Sequence, residues 1–229
     1  TVITPALIYY KELIQKNMQT AIDMAHGAEH LWPHIKSHKM SDIIQLSIKS
    51  GITRFKCATI AEAEVAAECK AEHIILAYPL VGPNIDRFLN LSHAFPNTHF
   101  YAIGDSLEML TQLGQAALLR SVNVNVLTDV NMGMNRTGVP LDVLEKFCYS
   151  CAEIKGITLC GLHCYDGHRT EHDAEERKKI SQPMDEKIRL ILKSIQKNIP
   201  TCSLVVLGGS PSFPCHTDFP GAYFSPGTL

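Results

Sequence analysis

The chain has 229 residues, 45% apolar and 19% charged, with 21 Lys and Arg set against 23 Asp and Glu. That length suits one large α/β barrel better than two small domains, and the mixture of apolar and charged residues excludes a disordered chain. A net charge of −2 removes the electrostatic argument for a nucleic-acid or membrane-surface partner.

The opening residues, TVITPALIYYKEL, have neither a basic n-region nor a small-residue cleavage site, so no secretory signal is expected. LWPHIK (31–36) reads as the first strand, followed by a helix with Ser41 as N-cap and Gly51 at its end. RFKCAT (54–59) is the second strand, and Thr59 to Glu62 form a capping box that opens the next helix. HIILAYP leads through Gly82-Pro83 into a helix, and HFYAIG leads into the N-terminal signature Asp105-Ser-Leu-Glu108. VNVNVLTD runs into a glycine-containing loop, after which Pro140 suits a first helical turn. ITLCGLHCY precedes the longest helix, where Ile180, Met184, Ile188, Ile191 and Ile195 recur every three or four residues. SLVVLGG is the last clear strand, and AYFS is a weaker one. The uncharged stretch after Asn198 is broken by Pro200, Gly208, Gly209, Pro211 and Pro214, so no membrane span is expected and the protein is read as cytoplasmic.

Alternating strands and helices, with near-continuous apolar strands such as IILAY and LVVLG, imply a parallel sheet in an α/β protein. It could be open and doubly wound, but the eight-fold count favours a TIM (β/α)8 barrel spanning 1–229. Of the eight cysteines, Cys148 and Cys151 fall in a helix and Cys160 and Cys164 in a strand. Reduced thiols are therefore favoured over a zinc site, which sets its C-x2-C on a tight turn.

Barrel chemistry gathers at the C-terminal ends of the strands. The polar residues expected there are His34, Lys36, His38, Tyr78, Asp129, Asn131, Asn135, Arg136, His163, Tyr165, His168, Gly208, Gly209 and Ser210. Alternation puts Trp32, His34 and Lys36 on one face. A lysine at the end of an apolar strand is poorly hydrated, which favours a neutral, nucleophilic amine. The bland alternative is a strand-end lysine reaching to water. His163, His168 and His172 form a trio open to three readings: a base, a metal site or plain loop histidines. Cys215 and His216 read as part of a prolyl loop rather than a metal pair.

Pro33-His-Ile-Lys-Ser-His-Lys39 resembles the cofactor-lysine motif of the D-threonine aldolase and D-serine dehydratase group, pyridoxal-phosphate enzymes with an alanine racemase N-terminal-domain-like barrel. Thr4–Leu7, Ala61–Ala66 and Val81–Pro83 resemble further family segments in the same order, and Asn131–Gly138 resembles the M-x-R-x-G loop shared with alanine racemases. The resemblance implies that Lys36 is the Schiff-base lysine, Arg136 faces the cofactor's phenolic oxygen, and Tyr165 lies beside its ring, with His34 close by. It implies further that Gly208, Gly209 and Ser210 approach the phosphate and that His172 is the base for a β-hydroxyl. Ser225, in Phe224–Thr228, stands where racemases carry an arginine, which fits the aldolase and dehydratase branch. Implied as well are a D-amino acid substrate, a homodimer, and a divalent metal (zinc or manganese) whose ligands lie outside this chain. Family members continue into a C-terminal β-domain, so either this sequence is part of a longer chain or it is a barrel-only protein. The resulting expectation is a lyase on β-hydroxy D-amino acids. Its rivals are an amino-acid racemase, a non-catalytic pyridoxal-phosphate carrier, and a barrel in which Lys36 is structural.

Overall fold

The computed structural model describes residues 3–227. Seven parallel strands, β1 (Arg54–Cys57), β2 (His73–Leu76), β3 (His99–Gly104), β4 (Val124–Asp129), β5 (Ile157–Cys164), β6 (Leu204–Leu207) and β7 (Tyr223–Phe224), pair in chain order in one sheet. Helices α2 (Ser41–Lys49), α3 (Ile60–Glu68), α4 (Pro83–Ala94), α5 (Leu107–Leu119), α6 (Leu141–Ala152) and α7 (Ala174–Asn198) alternate with them, after an opening helix α1 (Lys11–Met24). Only Met18 and Ala21 of α1 are buried, so its apolar pattern is weak, and the sequence reading leaves it unassigned.

The sheet curls into an incomplete barrel, which corrects the expectation of eight strands. LWPHIK is not a strand. Leu31 bridges Phe224 on β7 and His34 bridges Lys56 on β1, each as an isolated pair. Trp32 and His34 donate backbone N–H bonds to Phe224 and Pro226 (2.7 Å each), while the Pro33 carbonyl accepts from the Lys56 N–H at 2.8 Å. Pro33 has no N–H to continue a ladder, and the chain turns at once into a one-turn 3-10 helix, Ile35–Ser37. Phe224, Ser225, Pro226 and Gly227 lie beside this segment; Thr228 is outside the described residues.

Local signals are honoured with small shifts. The Thr59 hydroxyl accepts the Glu62 N–H at 3.2 Å, but the Glu62 carboxylate reaches back to Ala58 rather than Thr59 (2.7 Å). Ser106 caps α5. Met40, not Ser41, occupies the N-cap of α2. Inside the curl, Trp32, Ile75, Tyr101, Ile103, Leu127 and Val206 form a small core, and the larger core lies between sheet and helices. Trp32 is wholly buried and its indole N–H donates to the Phe55 carbonyl at 2.8 Å. All eight cysteines are free thiols, and burial pushes Cys148 up to about 11 and Cys151 up to about 12. No helix among the described residues is long and apolar enough to cross a membrane.

One buried ion cluster fastens α7 to the sheet. His216 closes a 3-10 turn (Phe213–His216) within the prolyl loop. Its Nε2 lies 2.9 Å from Asp166, just after β5, and its Nδ1 lies 2.9 Å from Asp185 on α7. Burial alone would favour a neutral ring. The hydrogen bonds and charges of the two aspartates outweigh it and push the imidazolium up to about 9.

Two measurements check this account. A folded-state value near 9, above the ordinary 6.5, adds stability that is complete below pH 6.5 and is lost as pH rises through 9, a change of roughly 3 kcal/mol at about 1.4 kcal/mol per unit. Denaturant titrations should show the advantage of wild type over His216→Gln shrinking by that order between pH 6 and pH 10, about four units. A constant difference would contradict the cluster. Trp32→Ala should cost about 3–5 kcal/mol, because it empties the middle of the curl.

Candidate functional site

At the C-terminal end of the strands lies a cavity of about 380 Å³, within the roughly 300–1,000 Å³ usual for small-molecule sites. Lys36, Lys56 and Arg136 line it together with His34, Asp129, His163, Tyr165 and Tyr78. Each arrives from a different part of the curl. Lys56 lies in β1, in register with Ile75 and, through β2, Tyr101, so it occupies the inward row. Asp129 ends β4 and pairs in register with His163 of β5. Arg136 is carried by the 131–138 loop, which is pinned at its base by the Val130–Val139 bridge and by the Gly138 N–H donating to Asp105 at 2.7 Å. Inside that loop the Asn131 carboxamide oxygen accepts from Gly133 (2.9 Å) and Asn135 (3.2 Å).

A buried chain of hydrogen bonds crosses the floor. His163 Nδ1–H donates to Asp129 Oδ1 at 2.7 Å, and Thr137 donates to Asp129 Oδ2 at 2.8 Å. His163 Nε2 is left to accept from Lys56 Nζ at 3.4 Å. Burial favours a protonated Asp129, but the bonds from His163 and Thr137 and the Arg136 charge overcome it and lower the carboxyl below its usual range. Burial keeps His163 neutral, Asp129 opposing it and the Lys56 charge reinforcing it. Lys56 is 2% exposed. Burial first, then the Lys36 charge, bring its amine down to about 7; Arg136 adds to this, while Asp129 and Asp166 resist. His34 is held neutral by burial and by Lys56 and Lys36, and its Nδ1 accepts the Lys36 backbone N–H at 3.3 Å.

Lys56 is the residue that sequence reasoning missed. The signal was a lysine between Phe55 and Cys57 in a four-residue strand, where alternation alone does not say which face is the interior. The poorly hydrated setting expected for Lys36 belongs to Lys56 instead; Lys36 sits exposed on the 3-10 turn at the cavity rim.

Arg136 and Tyr165 do meet: the guanidinium lies 5.0 Å from the ring centroid, and Lys56 Nζ lies 5.2 Å from the same ring. Gly209 packs against Tyr165 and Gly208 against Phe213, and neither is on the cavity wall. Their N–H groups are committed within the chain, Gly208 to the Cys164 carbonyl (3.1 Å) and Gly209 to the Ser212 hydroxyl (2.9 Å). The glycine at 208 has a steric reason: φ is +78°, and a Cβ would come within 2.8 Å of the Phe213 backbone. Ser210 accepts the Gly227 N–H at 2.8 Å. His172 is exposed ahead of α7 and does not line the cavity. His38 accepts the Met40 N–H beside the rim (3.1 Å), and His168 rests against Gly133 with its Nδ1 buried and unpartnered. Among the described residues no group of three or more His, Cys, Asp or Glu is arranged to hold a metal ion.

Comparison with known proteins agrees with this architecture. A D-threonine aldolase of Arthrobacter sp. is 24% identical over 224 residues, covering 91% of this chain and 55% of the relative. The crystal structure of D-threonine aldolase from Filomicrobium marinum superposes with a TM-score of 0.87 at 25% identity, covering 99% of this chain and 62% of that one. The structure of D-threo-3-hydroxyaspartate dehydratase from Delftia sp. HT23 superposes at 0.83 with 19% identity, covering 99% and 60%. The chain thus spans just over half the length of the curated relative and about three fifths of the two solved structures. Residues 11–229 match the family described as the alanine racemase N-terminal domain, and the chain belongs to it.

Proposed function

We propose that this chain is the cofactor-holding part of a pyridoxal-phosphate-dependent lyase that acts on D-amino acids with a β-hydroxyl, of the D-threonine aldolase or D-serine dehydratase type. The observation that carries this reading is the convergence of Lys36, Arg136 and Tyr165 on one cavity, within a chain similar to a D-threonine aldolase.

The residues fit the group. Three basic side chains face the cavity, while its one carboxylate, Asp129, is bound by His163 and Thr137. An anion carrying a phosphate and a phenolate suits that balance. Lys36 would supply the primary amine that holds the group covalently, and its place on an exposed turn leaves that amine room to move. Arg136 supplies the fixed cation for the phenolate, and Tyr165 a flat wall for the ring. Gly209 supports Tyr165, and the Gly208 and Gly209 N–H groups are engaged within the chain rather than free for a phosphate. When bound, the cofactor supplies an electron sink for the carbanion left at the substrate's α-carbon. Freed Lys36 is then the group that holds or moves the α-proton. Cleavage of the Cα–Cβ bond or loss of the β-hydroxyl is decided by groups around the β-carbon. Those groups, any divalent metal and a homodimer partner would lie outside this chain.

Loading the protein with pyridoxal phosphate, reducing with borohydride and mapping peptides should place the pyridoxyl group on Lys36. Lys36→Ala should remove that label and lower turnover of D-threonine or D-serine by the full-length protein, assayed with a divalent metal, by at least about three orders of magnitude. Full retention of activity in Lys36→Ala would defeat the reading. Turnover of neither substrate by the loaded full-length protein would point to a racemase or a carrier.

A further inference from the structure

A lysine in the interior of a sheet is costly unless it is paired or kept neutral. Lys56 forms no ion pair with any carboxylate among the described residues. Its polar contact is His163 Nε2 at 3.4 Å, and Asp129 holds the other ring nitrogen so that Nε2 can act only as an acceptor. One amine hydrogen therefore points at His163, and the rest of the amine faces the cavity and the Tyr165 ring. The charged and titratable groups around it come from every neighbouring element. Lys36 and His34 lie on the bridging segment, Asp129 on β4, Arg136 on the 131–138 loop, and His163 with Asp166 on β5 and just beyond.

We propose that Lys56 is a second carbonyl-capturing amine of this cavity, one that bonds covalently to a small anionic aldehyde and takes over that role when Lys36 is removed. The ligand class follows from the lining. Two further cations, Lys36 and Arg136, draw an anion in, and the buried amine meets its carbonyl. The step balances without any other reactant. The Lys56 lone pair adds to the carbonyl carbon, the π pair moves to oxygen, and the oxygen leaves as water with the two amine hydrogens as a carbon–nitrogen double bond forms. Burial and the neighbouring cations hold the amine down to about 7, so the neutral form that must attack is abundant near neutral pH. The choice of pyridoxal phosphate as probe rests on the functional reading above; the reactivity of Lys56 does not.

The test uses Lys36→Ala, a change at an exposed turn that leaves the buried floor intact. The variant is incubated with equimolar pyridoxal phosphate, reduced with borohydride and mapped by mass spectrometry, with wild type in parallel. Lys56 should carry the label at an occupancy about tenfold or more above the exposed Lys39, Lys49 and Lys70 at pH 7.5, because Lys56 alone of these lies in the cavity beside Arg136, whose charge draws the anionic probe in. Its labelling midpoint should lie above the value of about 7 set in wild type, because the variant removes the Lys36 charge, yet below the ordinary lysine range, because burial and Arg136 remain. Lys36→Ala with Lys56→Met should lose the label. Label scattered over exposed lysines with none on Lys56, or a labelling midpoint no lower than the roughly 10.4 of an ordinary lysine, would overturn the proposal. The two readings fail separately. Wild type labelled on Lys36 with no Lys56 label in the variant sinks only this inference. Wild type unlabelled on Lys36 with Lys56 labelled in the variant sinks only the Lys36 assignment.

Discussion

Two backbone amides on one side and one on the other close the site. Trp32 and His34 reach the far edge of the sheet at Phe224 and Pro226, and Lys56 reaches back from the near edge to Pro33. A parallel sheet of seven strands has two open edges, and the 31–36 segment lies against both without becoming a strand. Proline is what makes this a bridge rather than a ladder. With no N–H of its own, Pro33 offers only a carbonyl, and β1 uses it. Trp32 fills the hollow beneath, its indole N–H tied to Phe55. Because the same segment continues into the 3-10 turn, closure and the placement of Lys36 opposite Lys56 are one event.

The electrostatics of the cavity follow from that proximity. Lys36, Lys56 and Arg136 face one small volume, and the Lys36 and Arg136 charges add to burial in lowering the proton affinity of Lys56. The effect reaches the imidazoles: His34 and His163 are both held neutral by burial, with lysine charge adding to it. Asp129 does not offset the field fully, because one carboxylate in the lining stands against three basic side chains. What remains is a pocket whose unmet demand is for negative charge, with hydrogen-bond directions fixed before any ligand enters.

Much of the fold was legible in the residues. Strands β1 to β6, the capping box at Thr59–Glu62, the helix start at Asp105–Glu108 and the long repeat of α7 all rest on local rules that the tertiary structure had no reason to override. The failures occur where local and global demands part. LWPHIK has strand composition, but its role is to touch two edges at single points. Helix α1 is mostly solvent-facing, so periodicity had little to detect. Gly208 and Gly209 were readable as a turn, yet whether their N–H groups were free depended on Cys164 and Ser212, far or oblique in sequence. For Arg136 and Tyr165 the resemblance named both residues, and only the folded loop brings them to 5.0 Å.

The contrast between Lys56 and His216 shows why burial alone does not identify a reactive group. Both are buried bases, at 2% and 1% exposure, and desolvation pushes both toward neutrality. His216 is clasped by two carboxylates, which reverse the effect and hold it charged. Its hydrogen bonds are thereby used up in fastening α7 to the sheet, and nothing is left to react. Lys56 meets a neutral acceptor instead, so desolvation prevails, and the side chain borders the open cavity. The distinction is drawn by partners that arrive from β5, α7 and the prolyl loop, which is why no inspection of RFKC or PCHT in isolation could assign one residue to architecture and the other to chemistry.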